Sequence, residues 1–206
     1  MSSIKEDESL ASALELLAEL LDLKTYFYSS NQMEKSRRVE AGVGRILALL
    51  GGHLDGPGEF ARLPSSRAAR AYVRGRALDC RAEFSPDAEV ELGVAVKLAP
   101  NAAAHWNAMG HCLWKKGEQQ SAQHCFERAL DTNCSASPAE SATALREISK
   151  LMRQLPARSI AEKAANLKAS LERAEAAVAQ DPSDAESWCV VVVSDYHIPS
   201  PRNPAS

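Results

Sequence analysis

Residues 105–130 read "HWNAMGHCLWKKGEQQSAQHCFERAL", with three histidines (His105, His111, His124) and two cysteines (Cys112, Cys125) in one short run. The first question is whether this run holds a metal. Structural zinc draws its ligands from short pairs such as Cys-x-x-Cys or His-x-x-x-His, because those offsets turn two side chains toward one ion. Here the two doublets, His111-Cys112 and His124-Cys125, are adjacent residues. On a helix neighbours diverge by about 100°, so each doublet aims its side chains apart. The residues therefore predict buried thiols and solvated histidines, with no metal and no cofactor.

A different rule spaces this stretch. Counting Ala103 as position 1 puts Trp106 at 4, Gly110 at 8, Gly117 at 15, Ala122 at 20, Phe126 at 24 and Ala129 at 27. That pattern resembles a tetratricopeptide repeat, a helix pair of about 34 residues. Each position has a packing reason. The tryptophan fills space, Gly110 and Ala122 let two helices cross closely, and Phe126 and Ala129 pack the second helix back on the first. Lys115-Lys116-Gly117-Glu118 is then the turn, with cations in the last helical turn and a glycine where the helix stops.

The period extends both ways. Upstream, Gly75, Ala88, Leu92, Ala95 and Pro100 repeat the pattern, with one extra residue expected in the turn near "RAEFSPD". Downstream, Ala174, Ala177 and Pro182 take positions 24, 27 and 32 of a third unit. Its first helix is displaced, starting at the Ser-x-x-Glu of Ser137 and Glu140 and followed by a linker through Pro156. Trp188 holds position 4 of a fourth unit, and beyond it "VVVVSDYHIPSPRNPAS" has Val192 where a small residue is expected and prolines at 199, 201 and 204. The fourth unit is expected to be cut off inside its first helix, as in a truncated or alternatively spliced product.

The predicted organisation is an N-terminal helical segment over 1–50, a Gly-rich loop over 51–66, repeats over 67–188 and an irregular tail over 189–206. The leucines at 10, 14, 17, 20, 21 and 23 make a stripe on a first helix, and Gln32 to Leu50 forms a second. The glycines at 51, 52, 56 and 58 break the chain, and neither they nor "GVGR" at 42–45 lead into the Gly-Lys-Ser/Thr of a phosphate loop. Six arginines lie from Arg62 to Arg81, with Arg67, Arg70 and Arg74 at helical offsets. They read as a solvated face, the alternative being a basic stripe for an acidic peptide or RNA. The fold class is all-α: a tetratricopeptide-repeat solenoid preceded by N-terminal helices, with a truncated last repeat.

Composition narrows the functions. With 24 basic and 27 acidic side chains the formal charge is −3, so no global field holds nucleic acid or an anionic membrane. Five irregularly spaced cysteines predict reduced thiols in cytosol or nucleus, and "MSSIKEDESLASALELL" places acid where a signal peptide is cationic. No nucleophile, base and orienting acid are arranged for catalysis.

The order of parts goes further. "GRALDCRAEFSPDAEVELGVAVKLAP", then "AHWNAMGHCLWKKGEQQSAQHCFERAL", then "KLMRQL" resembles the N-terminal half of the tetratricopeptide repeat protein 5 (Strap) family, chiefly from Ala71 to Trp188. The resemblance implies a non-catalytic cofactor protein of cytoplasm and nucleus. Its implied partners are the N-terminal peptide of nascent tubulin, recognised at the ribosome to trigger tubulin mRNA decay, and a stress-responsive acetyltransferase coactivator complex. It implies neither direct sequence-specific nucleic-acid binding nor a membrane. Arg153 matches the family's groove arginine, which pairs with acid on the tubulin peptide, and the physics agrees: a guanidinium in a groove can hold a carboxylate through two parallel hydrogen bonds. The alternative is an exposed helix-end arginine. On the inner face of a repeat's first helix, positions 5, 9, 12 and 13 add Asn107, His111, Trp114 and Lys115 as peptide contacts. The effector half, including an oligonucleotide/oligosaccharide-binding-like domain, is expected to lie outside this sequence. The alternative function is therefore an isoform without that half, inactive or competing with the full-length protein.

Overall fold

The computed structural model describes residues 2–27, 32–51, 64–131 and 133–196. These form α1 (Ser2–Tyr26), α2 (Gln32–Leu50), α3 (Pro64–Asp79), α4 (Pro86–Leu98), α5 (Ala103–Lys116), α6 (Gln119–Ala129), α7 (Pro138–Gln154), α8 (Ile160–Gln180) and α9 (Ala185–Tyr196). Among the described residues every element is a helix, and none is long and apolar enough to cross a membrane. The chain divides into two compact units. One comprises Met1–Pro100 with His111–Glu118, the other Asn101–Gly110 with Gln119–Ser206.

In the first unit the leucine stripe packs through Leu17 and Leu20, joined by Ala13, while Leu14 stays largely exposed. Their counterpart on α2 is the face of Val39, Val43, Ile46 and Leu50, spaced for burial on one side of a helix. Gly42 sits at a close crossing with α1: a β-carbon there would stand 2.9 Å from Leu20 Cδ1. The α3–α4 pair repeats the device at Gly75, where a β-carbon would lie 2.6 Å from Leu92 Cγ. Ala88, Leu92 and Ala95 of α4 are fully buried, as the repeat pattern requires. Ser85 caps α4, its hydroxyl accepting from Ala88 N–H with Pro86 in the first turn.

The arginines of α3 differ from the expected solvated stripe. Arg70 donates to the Leu50 carbonyl, Arg74 bonds Glu91 (2.9 Å) and the Gly51 carbonyl (2.6 Å), and Arg81 bonds Glu40 at 2.9 Å. Arg70 and Arg74 bind the end of α2, where carbonyls left over at a helix C-terminus need donors; Arg74 also pairs with a carboxylate of α4, and Arg81, just past α3, with one midway along α2. Helix α3 also starts at Pro64, inside the expected Gly-rich loop; residues 52–63 of that loop lie outside the described residues.

Gly117 ends α5 with φ +91°, a conformation glycine adopts without strain, and the Gly117 and Glu118 amides donate back to Trp114 and Leu113. In the second unit a β-carbon at Gly110 would meet the Phe126 ring at 2.7 Å, and Ala122, Phe126 and Ala129 are fully buried. The displaced helix is α7. Its capping box is complete, with Glu140 N–H donating to Ser137 Oγ (3.2 Å) and Ser137 N–H to Glu140 Oε2 (2.7 Å). Helix α8 is capped by Ser159 and buries Ala174 and Ala177. Helix α9 carries the chain through Tyr196, so residues 189–196 are helical where an irregular tail was expected to begin at 189. Buried Ser187, Val190 and Ser194 hold them on their neighbours. Residues 197–206 of that tail lie outside the described residues.

Candidate peptide-binding cleft

The C-terminal end of α7, the linker after it and the start of α8 enclose a cleft of about 310 Å³, lined by Arg153, Leu155, Ala157, Lys163, Asn166 and Leu167. Two cations and an amide share it with aliphatic walls, and no carboxylate is among the described residues that line it. Arg153 Nη1 donates to Ser194 Oγ at 3.1 Å, and among the described residues no acid forms an ion pair with Arg153 or Lys163. Burial lowers the Arg153 pKa from its ordinary value, a sign that its charge is partly stripped of water and uncompensated.

Ser194 is itself held. Ser149 Oγ donates to the Ser170 carbonyl (2.8 Å), Ser170 Oγ to the Ser149 carbonyl (3.0 Å), and the Ser170 and Ser194 hydroxyls lie 3.4 Å apart. All three serines are fully buried. Small hydroxyl residues let α7, α8 and α9 approach closely, satisfy one another's polar atoms and end at the Arg153 guanidinium.

The other expected contacts lie elsewhere. Asn107, in the second unit, is buried and donates from Nδ2 to the Glu140 carbonyl at 2.9 Å, which secures the start of α7. Lys115, in the first unit, gives its ammonium to the Asp79 carboxylate (2.9 Å) and to the Asp79 and Arg81 carbonyls. His111 and Trp114 are half-buried in the same unit. Lys163 and Asn166 were missed by sequence reading, because α8 begins well before the recognisable part of its repeat and only folding brings its first turns beside Arg153.

The doublets of the opening stretch point apart. Cys125 is buried while His124 is exposed, and Cys112 is fully buried beside half-exposed His111. Burial, with Asp79 and Glu89 adding to it, pushes the Cys112 thiol up to about 12, and burial pushes Cys125 up to about 11. Both are protonated packing groups at neutral pH. None of the five cysteines forms a disulfide. Among the described residues no His, Cys, Asp and Glu side chains gather in threes as for a metal ion.

Close crossings at the repeat positions Gly75 and Gly110, after a similar one at Gly42, give an all-α helical solenoid like that of tetratricopeptide-repeat proteins. The chain is similar to tetratricopeptide repeat protein 5: 37% identical to the mouse protein over 119 residues, 58% of this chain and 26% of the relative. It is 28% identical to the human protein over 190 residues, 90% of this chain and 41% of that one, and cattle give the same figures. The chain thus spans less than half the length of these curated relatives. No family model matches it.

Proposed function

We propose that this protein is a non-catalytic adaptor that binds a short acidic peptide, with Arg153 as the residue that receives the peptide's carboxylate. The observation that carries this reading is a cleft with two cations and no acid among its described lining residues, in which Arg153 is anchored by one hydroxyl and keeps guanidinium donors for a ligand. Similarity to tetratricopeptide repeat protein 5 directs the choice of peptide to the N terminus of nascent tubulin. In this reading the protein works at the ribosome in tubulin mRNA autoregulation and with an acetyltransferase coactivator complex in stress-responsive transcription, in cytoplasm and nucleus.

Fluorescence anisotropy with a labelled tubulin N-terminal peptide tests it. Arg153→Ala is expected to weaken binding by about 1.5–3 kcal/mol, the range for a charged hydrogen bond, which is roughly 10- to 150-fold. Arg158→Ala, an exposed arginine just beyond the cleft lining, is the control. Equal affinity for Arg153→Ala and the parent chain, or for the peptide and its acid-to-amide analogue, would overturn the reading.

A further inference from the structure

A larger cleft, of about 590 Å³, lies in the first unit among the end of α1, the start of α2 and the α3–α4 turn. Its wall includes Lys24, Lys35 and Arg81, and the acids Glu40 and Glu83. Glu40 is engaged by Arg81 through bonds of 2.9 and 3.1 Å, which removes that pair from the balance. Two lysines then face one rim carboxylate.

The inner wall sharpens the imbalance. At the end of α3, Lys24 Nζ lies 3.4 Å from the Asp79 carbonyl, Lys115 Nζ 2.9 Å from the Asp79 carboxylate, and Arg76 Nη1 3.8 Å from its other oxygen. Lys115 and Arg76 share one buried carboxylate, while Lys24 has only the helix-end carbonyl for its charge. Lys24 forms no ion pair with a carboxylate among the described residues. Burial, then the charge of Lys115, lowers its pKa, as expected for a cation that lacks a counter-ion. The neighbouring Cys80 supplies none, because burial raises its pKa and keeps it a neutral thiol. Val39, Phe84 and Pro86 give the same cleft an apolar side.

We infer that this cleft binds a small organic anion, a carboxylate or phosphate monoester on an apolar body, with the anion on Lys24 and Lys35 and the body against Val39, Phe84 and Pro86. The chemistry is that of most small-ligand sites: a concave, largely apolar wall with a few placed charges. It is independent of the Arg153 cleft.

Proton–nitrogen NMR titration of the whole chain with benzoate, phenyl phosphate, benzyl alcohol and inorganic phosphate tests it. Saturable shifts are expected at Lys24, Lys35, Val39 and Phe84 with the two aryl anions, at least about tenfold tighter than with the neutral alcohol. Lys24→Met, which keeps the aliphatic stem, is expected to weaken the aryl anions about tenfold and leave the alcohol unchanged. Lys35→Met, at a half-buried lysine with no ion pair among the described residues, should give a smaller loss in a chain that melts like the parent. Binding of the alcohol as tight as the anions, no saturable shift, or no effect of either lysine variant would overturn the inference. Inorganic phosphate binding as tightly as phenyl phosphate would overturn the apolar-body part, making the source free phosphate.

Discussion

Arg146 and Arg153 stand seven residues apart on α7, two turns along nearly the same face, since a heptad drifts by only about 20°. Both reach toward α9, and they meet opposite surroundings. Arg146 is buried and saturated, with Nε 3.1 Å from Glu147, Nη2 3.2 Å from Glu186 and Nη1 on Asp184; Lys150 closes the network on Glu147 and Glu186 at 2.9 and 2.7 Å. Burial opposes the Arg146 charge, but Glu186, Glu147 and Asp184 outweigh it and raise its pKa. Arg153 has one serine hydroxyl and an open cleft. Helix α9 begins with acids, which also suit its N-terminal dipole, and offers a hydroxyl near its end. An arginine is thus a fastening at one level, and two turns on it faces a cleft with one hydroxyl for a partner.

The largest expected effect tests the fastening. Arg146→Ala leaves Glu147, 3% exposed, without its guanidinium, and breaking a buried pair on one side costs about 3–5 kcal/mol. Thermal melting should show a fall in Tm on the order of 10 °C. A shift of only a degree or two would mean that Lys150 carries the network alone. Arg153→Ala should invert the profile: a loss of peptide affinity of about 1.5–3 kcal/mol with a stability change under about 1 kcal/mol by urea denaturation. Equal stability losses at both sites would erase the contrast.

A smaller effect follows from pH. Burial works to raise the Asp184 pKa, but the Ser187 hydroxyl, the Arg146 charge and the Glu186 amide prevail and hold it below the usual carboxylate value. A depressed folded-state pKa contributes stability that is present above the unfolded value, about 3.9, and is lost as pH falls through the folded one. Urea unfolding across acidic pH should show this loss, and Asp184→Asn should flatten that part of the curve. An unchanged slope would remove Asp184 from the network. Smallest of all, Ser194→Ala loosens Arg153 without removing it. Peptide affinity should fall by about 0.5–1.5 kcal/mol, less than for Arg153→Ala, and Ser194→Thr should restore part of it. A loss as large as that of Arg153→Ala would mean that the hydroxyl fixes more than one guanidinium.

The two position-4 tryptophans show where sequence reading stops. Trp106 is half-buried with the Arg128 guanidinium 5.4 Å from its ring centroid, whereas Trp188 is 50% exposed and donates to the Pro182 carbonyl at 3.0 Å. The repeat pattern gives both residues the same place and says nothing of what lies over them. The α3 arginines make the same point: helical spacing suggests a solvated face, yet the carbonyls and carboxylates they bind are supplied by α2 and α4.

The repeats were legible because their rules are local. Gly75 and Gly110 mark close crossings, Gly117 a helix end, and Ser137 with Glu140 a helix start, each readable from a few neighbouring residues. Arg153 was singled out through resemblance, and the fold places it in a cleft. Its state was not legible. That depends on which of Asp184, Glu186 and Ser194, some thirty to forty positions away, folding brings to it, and the same long-range placement leaves Lys24 and Lys163 short of a carboxylate. Periodicity fixes which face of a helix is apolar. Charge compensation is a property of groups that meet in space, so only the tertiary structure decides which cations are paired with a carboxylate and which are left without one.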